Sequence, residues 1–157
     1  MELKELYREI LNEHNINPSH KLELDEANLV LQGVNPSCGD NITLKLKVED
    51  GKVKDGAFSG SGCAISQASV DMMLDLIIGK EESEALRLCE IFMGMIQGTV
   101  TDEQIEELDE ASALREIQHM PARVKCAELG WRTMREMLGL KKDTASASSP
   151  HADCPVN

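Results

Sequence analysis

The chain has 157 residues, 41% of them apolar, which is enough for one domain with its own core. Only 3% are aromatic and the formal net charge is −12, a balance that argues against stacking on single-stranded nucleic acid and against binding phosphate backbones or anionic membranes, and that favours basic protein partners. No apolar run approaches the ~20 residues needed to span a bilayer, and the opening Met1-Glu2-Leu3-Lys4-Glu5-Leu6 lacks the apolar centre of a signal peptide, so a cytoplasmic protein is expected.

Residues 2–14 read as an amphipathic helix with Leu3, Leu6 and Ile10 along one stripe, ended by the stretch from Asn15 to His20 with its Pro18. His14 then reads as a surface histidine at a helix end, and His20 gives no signal. Residues 28–34 form a strand that leads into Asn35-Pro36-Ser37-Cys38-Gly39-Asp40. Pro36 fixes one φ angle and Gly39 permits a turn, so Cys38 and Asp40 are placed to face one object. Residues 42–49 alternate Ile42, Leu44, Leu46 and Val48 against Thr43, Lys45, Lys47 and Glu49, the pattern of a half-buried strand. Asp50-Gly51 signals a hairpin, and residues 52–59 return as its partner strand.

Gly60-Ser61-Gly62 ends the sheet and opens a helix over 64–78 with Ile65, Ala68, Met72 and Leu76 inward and Gly79 closing it. A second helix over about 81–97 carries Leu86, Cys89, Met93 and Ile96 on one face and stops at Gly98. Residues 81–116 hold 11 acidic and 2 basic side chains, a net of −9 that is three quarters of the chain's formal net charge of −12. A solvated face explains such a run by default, and a docking surface for a basic partner is the alternative. A short helix is predicted near 110–118. Pro121 suits the first turn of a last helix running to about Leu140, with Val124, Ala127, Trp131, Met134 and Leu138 inward. Together these elements predict an α+β fold: a small, mainly antiparallel three-stranded sheet with helices packed on one face and a zinc site at one end. Residues 1–142 form the one domain, and 143–157, rich in Ser and Ala, a disordered C-terminal tail.

The five cysteines are Cys38, Cys63, Cys89, Cys126 and Cys154. An odd number in a reducing compartment favours metal binding or thiol chemistry over a disulfide framework. Cys89 lies on an apolar stripe and reads as a small core residue. His151 and Cys154 have a ligand-like spacing in a tail with nothing to fix them, and His119 reads as a capping or surface residue. Cys38, Asp40, Cys63 and Cys126 would give Zn²⁺ three sulfurs and one oxygen from loops or first helical turns. Cys63 stands at a helix start, where the partial positive charge favours a thiolate, and Arg123 and Lys125 flank Cys126. From spacing alone a closed structural zinc site and a reactive one are about equally plausible, and the same ligands would also suit an iron–sulfur cluster.

The stretches around Cys38, Cys63 and Cys126, in this order, resemble the IscU/SufU family of iron–sulfur cluster assembly proteins, over about Tyr7 to Leu138. The detail resembles the SufU branch. IscU-type members have a histidine immediately before the third cysteine, where this chain has Lys125, and they are shorter between the second and third cysteines, where this chain has additional sequence around 97–116. The resemblance implies a zinc-dependent sulfurtransferase, with Cys38, Asp40, Cys63 and Cys126 as metal ligands and Cys38 as the catalytic sulfur acceptor. It implies, as partners, a PLP-dependent cysteine desulfurase of the SufS type and downstream iron–sulfur assembly proteins. It also implies that the first helix packs near the active loop and helps dock the sulfur donor. The alternative within the same family is a scaffold that binds a nascent [2Fe-2S] cluster and passes it to apo-proteins.

Overall fold

A computed structural model describes residues 3–146, with side chains for residues 4–139. Helix α1 (Leu3–Ile16) precedes three strands, β1 (Leu29–Asn35), β2 (Asp40–Glu49) and β3 (Lys52–Ser61), and helices α2 (Ala64–Ile77), α3 (Glu82–Gln97), α4 (Asp102–Glu106) and α5 (Val124–Ser146) follow. Two 3₁₀ segments, Asp109–His119 and Pro121–Arg123, lie between α4 and α5. The sheet is antiparallel in the order β1-β2-β3.

The alternation in β2 sets the architecture. Ile42, Leu44 and Leu46 are fully buried and Val48 nearly so, while Thr43, Lys45 and Lys47 are half-buried on the other face. The same two-residue period carries Asp40, the first residue of β2, to the buried side at the strand's end. At the opposite end Asp50 and Gly51 both have positive φ (54° and 76°), the geometry of a tight two-residue hairpin whose twist matches its strands.

The predicted stripe of α2 is found buried at Ile65, Ala68, Met72 and Leu76, and α5 buries Ala127, Trp131, Met134 and Leu138. Trp131 stacks on Phe92 of α3 with ring centroids 4.2 Å apart. Its indole N–H donates to Ser69 Oγ (3.0 Å), and that hydroxyl donates to the Ala127 carbonyl (2.7 Å), so α2, α3 and α5 meet at one point.

Several expectations need correction. In α1 the buried positions are Tyr7 and His14 with Ile10 and Leu11 half-buried, whereas Leu6 is 40% exposed. Of the expected stripe, Ile10 is partly buried and Leu6 is not, because Tyr7 and the paired His14 occupy the inward face; the Leu3 side chain lies outside the described residues. His14 is not a surface residue: its ring is buried, with Nδ1 2.6 Å from Asp71 Oδ2 and Nε2 2.7 Å from Glu110 Oε1. Burial disfavours its cation, but the bonds to Asp71 and Glu110 outweigh that and raise its pKa above the ordinary histidine value. The helix predicted near 110–118 is a 3₁₀ run, and α4 before it was not anticipated. Thr101 and Gln104 form a capping box at the start of α4, which is a signal the sequence does carry. Helix α5 continues to Ser146; the rest of the expected tail, with His151 and Cys154, lies outside the described residues. Among the described residues no helix is long and apolar enough to cross a membrane.

Candidate metal centre

The β1–β2 connection, the β3–α2 junction and the first turn of α5 converge at one end of the sheet. Asn35 and Asp40 face each other in register as the last pair of the β1–β2 ladder, with Pro36-Ser37-Cys38-Gly39 between them. The loop closes through a Cys38 N–H bond to the Asn35 carbonyl (3.2 Å), and Gly39 takes φ 72°, which a side chain would resist. Cys38 is therefore half-exposed at the tip of a short turn, while Asp40 behind it is fully buried.

Cys63 is the N-cap of α2, with extended backbone (φ −75°, ψ 168°), and its sulfur accepts from the Ser66 N–H (3.4 Å). Cys126 is fully buried in the first turn of α5. Burial first, then the hydrogen bond to Cys38 and the nearness of Cys63, push its thiol well above the usual range in the absence of a cation. Such a sulfur becomes a thiolate only if a positive charge is supplied.

Cys38 Sγ lies 3.0 Å from Cys126 Sγ, and the Cys38, Asp40 and Cys126 ligand atoms all fall within 4.8 Å of one another. A tetrahedral zinc with bonds of ~2.3 Å to sulfur sets its sulfurs ~3.8 Å apart, so a slight opening of this pair accommodates the ion. Cys63 stands outside that mutual grouping, although it is near enough to Cys126 to act on its ionisation. Asp40 Oδ1 is taken by the Cys63 N–H (2.8 Å) and Ser66 hydroxyl (3.1 Å). Oδ2 accepts only from Asn35 Nδ2 (3.2 Å), which leaves it a lone pair for a cation. The donor set thus fits a thiolate-rich divalent metal, with Cys38, Cys63, Cys126 and Asp40 Oδ2 as the atoms that would hold it.

Further residues support the arrangement. Gly62 makes room for the Asp40–Ser66 contact: a Cβ there would meet Ser66 Oγ at 2.5 Å and Asp40 Oδ1 at 2.8 Å. Asn35, nearly buried, also points its amide at Cys126 Sγ (3.7 Å). Neither Asn35 nor Ser66 was singled out in the sequence, since nothing local distinguishes a structural amide or hydroxyl from a surface one. Arg123 lies in the field of Cys126, Cys63 and Cys38, and Lys125 is exposed and borders a groove of about 710 Å³ beside the Cys38 turn. Cys89 is a core residue: its buried thiol donates to the Trp131 carbonyl (3.6 Å), and desolvation pushes its pKa up to about 12. His119 is exposed.

Because three donors converge on Asp40, Asp40→Ala should lower the unfolding free energy by about 1–3 kcal/mol, the cost of orphaned buried polar groups. Asp40→Asn keeps an acceptor for the Cys63 N–H and should lose less. Urea unfolding of the metal-free proteins measures both, and an Asp40→Ala variant as stable as the parent would show that these bonds contribute nothing.

Comparison with known proteins gives this geometry a lineage. Residues 6–127 match the family described as NifU-like N terminal domain. The chain is 43% identical over 138 residues to the iron-sulfur cluster assembly scaffold protein IscU of Thermotoga maritima, covering 88% of this chain and 96% of that one. It is 40% identical over 134 residues to the zinc-dependent sulfurtransferase SufU of Bacillus subtilis, covering 85% and 90%. Among solved structures, the putative iron-sulfur cluster assembly scaffold protein for the SUF system from Fervidobacterium islandicum superposes with a TM-score of 0.79 at 34% identity, covering 85% of this chain and 97% of that one. A match that takes in all three cysteine stretches but Cys126's own helix beyond its first turn, and relatives that align over nearly the whole chain, place this protein in the NifU-like N-terminal family of iron–sulfur cluster assembly proteins, alongside IscU and SufU.

Proposed function

We propose that the protein is a zinc-dependent sulfurtransferase of the SufU kind, which accepts persulfide sulfur from a PLP-dependent cysteine desulfurase of the SufS type for iron–sulfur cluster biogenesis. The observation that carries this reading is the contrast among the three cysteines. Cys126 is sealed in α5 and Cys63 caps α2, but Cys38 sits half-exposed in a turn that can swing between Pro36 and Gly39 without unpacking an element. Lys125 before Cys126 offers no imidazole, and the segment from α4 through the 3₁₀ run supplies the extra length between the second and third cysteines.

Zinc, when bound, supplies the positive charge that keeps the site's sulfurs as thiolates at neutral pH. Asp40 and Cys126 hold the inner side of the site, and Asn35, Ser66 and the Cys63 N–H fix Asp40 in place. Cys38 thiolate attacks the outer sulfur of the donor's persulfide. A new S–S bond forms at Cys38, the donor's S–S bond breaks, and the electron pair leaves with the donor cysteine as its thiolate. No external oxidant or reductant is consumed. A basic partner surface would meet a chain of net charge −12 favourably.

A second reading, the cluster scaffold, is favoured by the 43% identity to a protein that bears a scaffold name. Purified protein that is colourless with about one zinc supports the relay; brown, iron-bound protein supports the scaffold. The decisive test incubates the protein with desulfurase and cysteine, traps persulfides by alkylation and maps them by peptide mass. The added sulfur is expected on Cys38 and absent from Cys38→Ser. Sulfur on Cys63 or Cys126 with Cys38 unmodified would overturn the assignment.

A further inference from the structure

A second cluster of ligand-type side chains lies away from the cysteines, where α1, α2 and the 3₁₀ segment Asp109–His119 meet. Ligand atoms of His14, Asp75 and Glu110 lie within 4.8 Å of one another. The histidine is held from behind. Asp71 is fully buried, and its Oδ2 lies 2.6 Å from His14 Nδ1. Asp71 cannot turn away, because Oδ1 also accepts from the His20 N–H (2.8 Å) and Oδ2 from the Ser19 N–H (3.3 Å). A carboxylate has no proton to give, so Nδ1 is the donor in this bond. By the same argument Nε2 donates to Glu110 Oε1 at 2.7 Å, and a cation at Nε2 would take the place of that proton. Asp75, on the next turn of α2 from Asp71, is steered by His20, whose Nε2 is 2.7 Å from Asp75 Oδ1.

A buried carboxylate that holds one imidazole nitrogen while the other faces a partly exposed carboxylate is an arrangement by which proteins orient a metal-binding histidine. The charge count agrees. Three carboxylates, Asp71, Asp75 and Glu110, face two histidines, His14 and His20, so the cluster keeps a negative excess even with both rings charged. Asp71 stands eight residues along α2 from Cys63, about 12 Å at the helical rise, so the two clusters share no ligand.

We propose that His14, Asp75 and Glu110 form a second metal site, which takes a divalent first-row transition cation on one nitrogen and two carboxylate oxygens, with Asp71 orienting the histidine. The Nε2 proton, where present, leaves to solvent as the ion binds. This donor set contains no sulfur, so the thiolate centre fills first with zinc and the second site accepts the next ion. Occupied, it would tie α1 and the 3₁₀ segment to α2.

The site is tested on full-length protein already carrying one equivalent of zinc, titrated anaerobically with Co²⁺. A second equivalent is expected to bind with visible d–d absorption and without thiolate charge-transfer bands, and to broaden the ring signals of His14 in NMR spectra. Asp75 and Glu110 have side chains 49% and 61% exposed, so Asp75→Asn with Glu110→Gln should leave the fold intact. That double variant should bind the second Co²⁺ more than ~100-fold more weakly while keeping its zinc, since removing even one supporting partner of a ligand costs 10–100-fold. No second equivalent at millimolar Co²⁺, undiminished binding by the double variant, or charge-transfer bands from cysteine would each overturn the proposal. None of these readouts depends on sulfur transfer, so the outcome stands apart from the proposed activity.

Discussion

Replacing Cys63 and Cys126 together by serine is expected to abolish tight zinc binding and to lower the unfolding free energy, measured in zinc-buffered solution, by at least about 4 kcal/mol. The magnitude follows from linkage: an ion at a thousand times its dissociation constant stabilises the folded state by about 4 kcal/mol. The two residues removed are those least able to move. Cys126 is buried in α5, and Cys63 is fixed by its own N–H bond to Asp40 and its cap on Ser66. Serine in place of Cys126 puts a hydroxyl where a buried, desolvated sulfur stood, with Asn35 and Arg123 as its partners. The variant should therefore remain folded and match the chelator-treated parent, not fall below it. Metal analysis and urea unfolding of parent, chelated parent and variant decide the matter. A double variant that keeps one zinc would show that Cys38 and Asp40 suffice, and that the site is not the four-ligand centre described above.

Much of the convergence of these candidate ligands was legible because the residues obey local rules. The period of two in β2 extends backwards onto Asp40, the glycines before Cys63 announce a strand giving way to a helix, and Pro121 marks the turn that presents Cys126. Each of these signals spans a few residues, so no knowledge of the distant chain is needed to read it. The second cluster has no such signature. His14 meets Asp71 and Glu110 across 57 and 96 positions of sequence, and until those contacts are known a histidine near a helix end is indistinguishable from a surface one. The inward face of α1 was misread for the same reason: Tyr7 and His14 are polar enough to pass for surface, and their burial is licensed by partners on other elements. The 3₁₀ form of 109–119 is likewise set by packing of Ala111, Leu114 and Ile117, which recur every three residues and bury along one edge at the 3₁₀ period.

Trp131→Ala is expected to destabilise the protein by about 3–5 kcal/mol, the range for removing a large buried aromatic side chain, and to weaken zinc binding although Trp131 touches no ligand. The side chain is fully buried and lies flat on Phe92, with an interplanar angle of 8°. Its indole N–H is satisfied by Ser69, whose hydroxyl in turn bonds the Ala127 carbonyl one residue beyond Cys126. Truncation therefore opens a cavity between α2, α3 and α5 and also frees the hydroxyl that anchors the first turn of α5. Cys126 belongs to that turn, so the sulfur loses its fixed distance from Asp40 and Cys38. Trp131→Phe should recover most of the packing on Phe92 but not the bond to Ser69, and so should restore stability more than metal affinity. Thermal unfolding of the metal-free proteins and competition with a chelator for zinc separate the two effects. If Trp131→Ala lost stability but bound zinc as tightly as the parent, the first turn of α5 would hold Cys126 in place without the Trp131–Ser69–Ala127 relay.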